Sequence, residues 1–292
     1  MRLGSRALLV GAAACAVAFV VLLALAYLSA EARAVDGAAL EGFVGLQRPA
    51  VDRITGLLQS FGDPVPVVLV AAVLAGVAAA QRRPRVALLV LALVAITSVS
   101  SQLLKALLAY PRSEAELAGA GVADAAFPSG HATAAMSLAI ALVVAMPARL
   151  RPAAALAGLL ITLGVSYSVV VQGGHFPSDI VGGHLLATGV ALVLLSGLRA
   201  AEARYPEAAR GSAPSDVVRR IVEGASAIGL MAALATAALG IAAVGVVVLA
   251  FRTSDLVGYA QAHTAFGAVA VVLALSAITL LCGLAVAAGR RG

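Results

Sequence analysis

Phe127-Pro128-Ser129-Gly130-His131 is a polar hinge that opens the apolar run 131–147, and a second hinge, His175-Phe176-Pro177-Ser178-Asp179, opens the run 180–198. Two segments of membrane length, 131–147 and 153–172, lie between the histidines. A chain that crosses a bilayer twice returns to the face it left. The two histidines are therefore predicted to meet at one membrane surface, and the remaining residues are read around that meeting.

Composition supports crossing. Hydrophobic residues make up 62% of the chain and charged residues 12%, with a mean hydropathy of +1.04, whereas soluble domains carry about 25% charged residues. The reading is an all-α polytopic membrane protein. A net charge of +6 could point to nucleic acid, but the arginines fall in short loops between apolar runs, where they encode membrane orientation. Nucleic-acid binding is set aside on that pattern. Cys15 and Cys282 sit inside apolar runs, so neither a disulfide nor a zinc site is expected, and no cofactor is implied.

Eight runs approach the roughly 20 residues that span hydrocarbon: 7–29, 64–80, 86–108, 131–147, 153–172, 180–198, 225–250 and 264–288. The first resembles a secretory signal but is about twice as long as a usual signal core, so it reads as an uncleaved helix. An even count places both termini on one side. Arg82, Arg83, Arg85, Arg149, Arg151 and the arginines of 199–220 fall on that side too, which makes it cytoplasmic, with His131 and His175 extracytoplasmic. The cell membrane is the expected location. Residues 35–62 are too polar to span, yet Leu40, Phe43, Ile54, Leu57 and Phe61 recur at near-helical spacing, as in interfacial amphipathic helices. Domain boundaries follow: a six-span core over 1–198, a cytoplasmic linker over 199–220 and a two-span tail over 221–292, rich in small residues suited to helix packing.

Polar groups inside such a chain demand an explanation. Lys105 is the only lysine among twenty Lys and Arg residues, near the outer end of its run. It either snorkels to the interface or serves a site. Arg112 follows just after Pro111, which ends the helix. Ser129 is suited to cap the next helix and Gly130 to allow close backbone approach, and free amides at a helix start favour a phosphate. His131 would enter the same space as a proton donor. Asp179, four residues after His175, can accept from one imidazole nitrogen and leave the other free to attack. A pair of interfacial histidines bonding headgroups is the plain alternative, but it leaves the lysine, arginine and aspartate unexplained. Gln102 and His184 read as helix–helix hydrogen-bonding residues, and Glu114, Glu116 and Asp124 as a solvated acidic loop.

Together these residues resemble the type 2 phosphatidic-acid phosphatase superfamily of membrane lipid phosphatases. Lys105 and Arg112 match its first motif, with Ser113 in place of a proline; Pro128 to His131 match the second; Ser168, His175 and Asp179 match the third, with Val169 in place of an arginine. The resemblance covers about 105–183 and leaves the tail outside. It implies that His175 attacks phosphorus, that Lys105, Arg112, Ser129 and Gly130 hold the phosphate oxygens, that His131 protonates the leaving group, and that Asp179 orients His175. No metal is implied, since cations and amides supply the electrostatic stabilisation. The substrate would be a phospholipid phosphate or an isoprenoid diphosphate. A phosphotransferase on the same site is an alternative, and the departures at Ser113 and Val169 admit a catalytically silent phospholipid-binding relative. Gln172, one turn from Val169, and Arg252, from the tail, are the expected stand-ins for the missing arginine.

Overall fold

The computed structural model describes residues 4–112, 120–205 and 257–288, and among them every regular element is helical. In chain order the helices are α1 (Ser5–Leu28), α2 (Ala30–Val44), α3 (Pro49–Ser60), α4 (Pro64–Ala80), α5 (Pro84–Leu107), α6 (Gly130–Ala145), α7 (Arg151–Val171), α8 (Pro177–Arg204) and α9 (Thr264–Ala288). Pro49, Pro64, Pro84, Pro152 and Pro177 stand in the first turns of α3, α4, α5, α7 and α8. Proline is suited there because the missing N–H would have no partner within the helix.

The expected spans 7–29, 86–108, 153–172, 180–198 and 264–288 correspond to α1, α5, α7, α8 and α9, each long and apolar enough to cross a membrane. The chain is a multi-pass membrane protein. Large apolar side chains on these helices point outward, among them Val17 and Val20 of α1, Leu88 of α5 and Val271 of α9, as a lipid-facing surface requires. The run 225–250 and residues 206–220 of the expected linker lie outside the described residues, while 199–204 continue α8.

Two expected spans take a different form. α6 has 16 residues, about 24 Å at 1.5 Å per residue, short of the roughly 30 Å of hydrocarbon. It packs against α4, α5, α7, α8 and α9 and is buried along nearly all its length, so its apolar composition reflects a central place in the bundle. α4 has 17 residues and joins the end of α3 at a 52° bend, so the two form a single broken apolar pair. The polar stretch 35–62 forms α2 and α3. Leu40 and Phe43 of α2 are buried in a cluster with Val169, Phe176 and Leu273, whereas Ile54 and Leu57 of α3, and Phe61 just after it, are exposed.

The two ends of α6 differ in charge. At its C-terminal end Arg83 donates to the carbonyls of Val144 and Ala145, both at 3.0 Å, and Arg151 to that of Met146 at 3.3 Å. Cations there satisfy orphan carbonyls and complement the helix dipole. The N-terminal end carries Ser129, Gly130 and His131.

Candidate active site

Ser129 caps α6 by accepting from the Ala132 N–H at 3.3 Å, and its own N–H donates to the Asp179 carbonyl at 2.9 Å. That second bond ties the start of α6 to the start of α8. The approach is close: a Cβ on Gly183 would lie 2.8 Å from the Ser129 carbonyl oxygen, and one on Gly182 2.7 Å from the Phe127 ring. Glycine at both positions lets α8 press against the hinge.

His175 is delivered by the turn between α7 and α8. Gly173 has φ +72°, a left-handed conformation that suits glycine, and Gly174 N–H donates to the Val169 carbonyl at 3.0 Å, closing α7. The buried Asp179 carboxylate then accepts from three directions: the Phe176 N–H at 2.9 Å, His175 Nδ1 at 3.4 Å and Arg112 Nη2 at 2.6 Å. With Nδ1 held by a carboxylate, Nε2 of His175 is the nitrogen left for chemistry.

The expected residues form two linked groups. Lys105, Ser129, Gly130 and His131 meet at the start of α6, where Lys105 Nζ would lie 3.7 Å from a Cβ on Gly130. Arg112, His175 and Asp179 meet at the start of α8. The imidazoles of His131 and His175 are close enough to interact electrostatically, as are Lys105 and Asp179. Arg112 is placed differently from a free phosphate clamp. It is buried, its guanidinium lies 3.8 Å from the centre of the Phe176 ring, and it bridges Asp179 and Asp36 while donating to Ser178 Oγ at 3.3 Å.

Of the expected stand-ins, Gln172 donates to Thr55 Oγ1 of α3 at 3.0 Å, and Arg252 lies outside the described residues. Val169 itself is buried among Leu40, Phe43, Ala132 and Phe176, so apolar packing fills its surroundings. His184 bonds Ser166 of α7 at 3.0 Å and Ser276 of α9 at 3.5 Å, as expected of a helix–helix residue. The Gln102 amide nitrogen lies 3.9 Å from where a Cβ on Gly130 would stand, at the start of α6.

Two carboxylates escaped sequence reasoning. Asp36 of α2 accepts from the Ser178 N–H at 3.0 Å and the Ser178 hydroxyl at 2.5 Å, and pairs with Arg112 at 3.5 Å. It caps α8 from another helix. A signal was present: Asp36 precedes Leu40 by four residues and Phe43 by seven, so it lies on the buried stripe of α2. Asp63 precedes Pro64 in the position of an N-cap but makes no capping bond; its carboxylate lies 3.2 Å from His131 Nε2. The adjacent Gly62 brings the bend between α3 and α4 against His131, where a Cβ would come within 2.7 Å of the ring.

Burial, reinforced by the charge of Asp179, pushes Asp36 up to about 6, against the opposing Ser178 hydrogen bonds and Arg112; an unfolded aspartate titrates near 3.9. The native state therefore binds this proton more tightly than the unfolded chain does. Its stability contribution is fully present below about pH 4 and is lost as pH rises through about 6. Thermal melts of wild type and Asp36→Asn at about pH 4.5 and about pH 7.5, roughly 1.5 units either side of the raised value of about 6, should differ. Wild type is expected to gain on the order of 2 to 3 kcal/mol relative to the variant at the acid end. An offset independent of pH would contradict the buried proton.

Comparison with known proteins adds the relationship. No curated protein matches the chain. A solved structure with some likeness is the transmembrane PAP2 type phosphatidylglycerolphosphate phosphatase from Bacillus subtilis, 19% identical, with 68% of this chain and 98% of that one covered at a TM-score of 0.49. A family model, the PAP2 superfamily, matches residues 11–202. That stretch runs from α1 to within α8, takes in Lys105, Arg112, His131, His175 and Asp179, and leaves α9 outside. On that match, which covers more than half of its length, the chain belongs to the PAP2 superfamily.

Proposed function

We propose that this protein is a membrane phosphatase that hydrolyses a lipid phosphate or an isoprenoid diphosphate at the extracytoplasmic face through a phosphorylated His175. Membership of the superfamily supports a phosphatase. The observation that carries the finer reading is the orientation of His175 by Asp179 beside a helix start equipped with Lys105.

Nε2 of His175 attacks phosphorus in line, the P–N bond forms, and the bond from phosphorus to the lipid oxygen breaks. His131 gives its proton to that departing oxygen. Water then attacks the phosphohistidine, His131 takes the water's proton, and the P–N bond breaks to release inorganic phosphate. Charge on the non-bridging oxygens is met by Lys105, the remaining N–H groups of Arg112 and the first-turn amides of α6 from Gly130 onward, the Ser129 N–H being held by the Asp179 carbonyl. Asp179 holds the imidazole in one orientation and stabilises its cationic form. Asp63, against His131, and Asp36, against Ser178 and Arg112, act as positioning residues.

The six-span core, 1–198, is the catalytic unit in this reading. The expected tail, 221–292, is outside that unit, and its described part, 257–288, braces the core: Tyr167 of α7 donates to the Ala270 carbonyl of α9 at 2.6 Å, and Tyr259 to the Gly42 carbonyl of α2 at 2.7 Å. The linker 199–220 is cytoplasmic. Orientation is supported by the arginines at the end of α6 opposite His131. In a background with Cys15 and Cys282 replaced, Ala123→Cys is expected to be labelled by an impermeant thiol reagent on intact cells, and Ala148→Cys only after permeabilisation. Both positions are exposed. The reverse pattern would move the site to the cytoplasmic face.

A further inference from the structure

Three polar side chains of α5 converge on the start of α6. A Cβ on Gly130 would lie 3.6 Å from Ser101 Oγ, 3.7 Å from Lys105 Nζ and 3.9 Å from Gln102 Nε2. Lys105 belongs to the family motif, but Ser101 and Gln102 do not. Ser101 is 1% exposed and its hydroxyl has no hydrogen-bond partner among the described residues. Serine and threonine in a helix commonly bond a carbonyl three or four residues back. Thr97 does so at 2.8 Å to Leu93 and Ser137 at 2.7 Å to Thr133, in the same part of the bundle. The Ser101 hydroxyl is turned instead toward Gly130. A buried hydroxyl without a partner is costly, and that cost is relieved if a ligand atom fills the bond.

The chemistry around this helix start identifies the ligand. An ammonium, an amide N–H₂ and a hydroxyl face the start of a 16-residue helix, whose free amides and dipole favour negative charge. Val169 and Ala132 share one apolar cluster, so the α7 side of this helix start offers apolar packing where the family motif has an arginine. Donors come from the α5 side.

Resting on the phosphatase reading, we propose that Ser101 and Gln102 bind the phosphate of the substrate, donating to its non-bridging oxygens beside Lys105 and supplying contacts that the valine at 169 does not. The ligand class is a tetrahedral phosphate carried as a monoester or terminal diphosphate group. Gln102 is thereby a substrate-binding residue rather than a helix–helix one.

The test measures binding separately from turnover, with orthovanadate and inorganic phosphate as probes of the full-length protein in detergent. Ser101→Ala and Gln102→Leu are each expected to weaken both probes about tenfold, corresponding to about 1.4 kcal/mol. KM for a lipid phosphate should rise by a similar factor. Ser101→Thr, which keeps the hydroxyl, should restore binding. Phosphate affinity unchanged in both variants, with Lys105→Ala losing it, would overturn the proposal and leave the phosphatase reading intact. Wild type binding neither probe and releasing no phosphate would overturn both. A variant that melts below wild type but binds both probes normally would mark Ser101 or Gln102 as structural and also overturn the assignment.

Discussion

Replacing His175 with alanine is expected to abolish phosphate release from every substrate, a loss on the order of ten-thousand-fold or more. The size follows from its role as the atom that forms the covalent bond. Lys105, Ser129 and Gly130 remain in place in the variant, so inorganic phosphate should still bind. His131→Ala should behave differently, because proton transfer contributes about a hundred- to ten-thousand-fold and matters least where the leaving group is good. The loss should therefore shrink on an aryl phosphate and grow on a lipid alkyl phosphate. If His131→Ala is dead on both substrates while His175→Ala retains turnover, the two roles are reversed. Melting temperatures equal to wild type show that neither result reflects unfolding.

Arg112→Ala is expected to be the most damaging change outside the histidines, for stability and for rate together. Asp36 and Asp179 both touch this guanidinium, at 3.5 and 2.6 Å, and its removal leaves two buried carboxylates without their cation. Breaking a buried pair by removing one partner costs about 3 to 5 kcal/mol. Turnover should fall about a hundred- to thousand-fold as the orientation of His175 and a phosphate contact are lost together. Arg112→Lys should recover only part of either, since one ammonium cannot reach Asp179, Asp36 and Ser178 in the fork geometry of a guanidinium. The double variant Arg112→Ala with Asp36→Asn should be more stable than Arg112→Ala alone, because it removes one stranded charge. Strictly additive losses in the double variant would refute the bridged arrangement. Thermal melts and steady-state kinetics on the four proteins decide it.

These expectations depend on contacts that were legible in the sequence to different degrees. Apolar run length located α1, α5, α7, α8 and α9, because lipid demands about 20 unbroken residues and tolerates few charges. The same signal could not distinguish α6, which is apolar because other helices surround it, from a helix that faces lipid. Local chemistry was readable where it acts over one turn: Ser129 capping α6, and Asp179 four residues from His175. Asp36 was not, because its partner Ser178 is 142 residues away and only tertiary packing joins α2 to α8. Asp63 was hidden for a related reason, since an aspartate before proline reads as a cap whereas its carboxylate is turned to His131. The departure at Val169 was plain in the sequence, but its physical setting, a cluster completed by Leu40 and Phe43 of α2, required the fold. Ser101 and Gln102 gained meaning once α5 was seen to face Gly130.

The central claim is a covalent phosphohistidine, and mapping the phosphoryl group tests it most directly. Purified protein mixed with a lipid phosphate and quenched in alkali, which preserves phosphohistidine, can be digested and analysed by mass spectrometry. The account predicts one phosphorylated residue, His175, modified on Nε2, absent in His175→Ala, and accumulating in His131→Ala when an aryl phosphate, whose departure needs no proton from His131, is the substrate and only the second step is slowed. Phosphate release at full rate with no phosphoryl group on His175, or with the group on another residue, would contradict it.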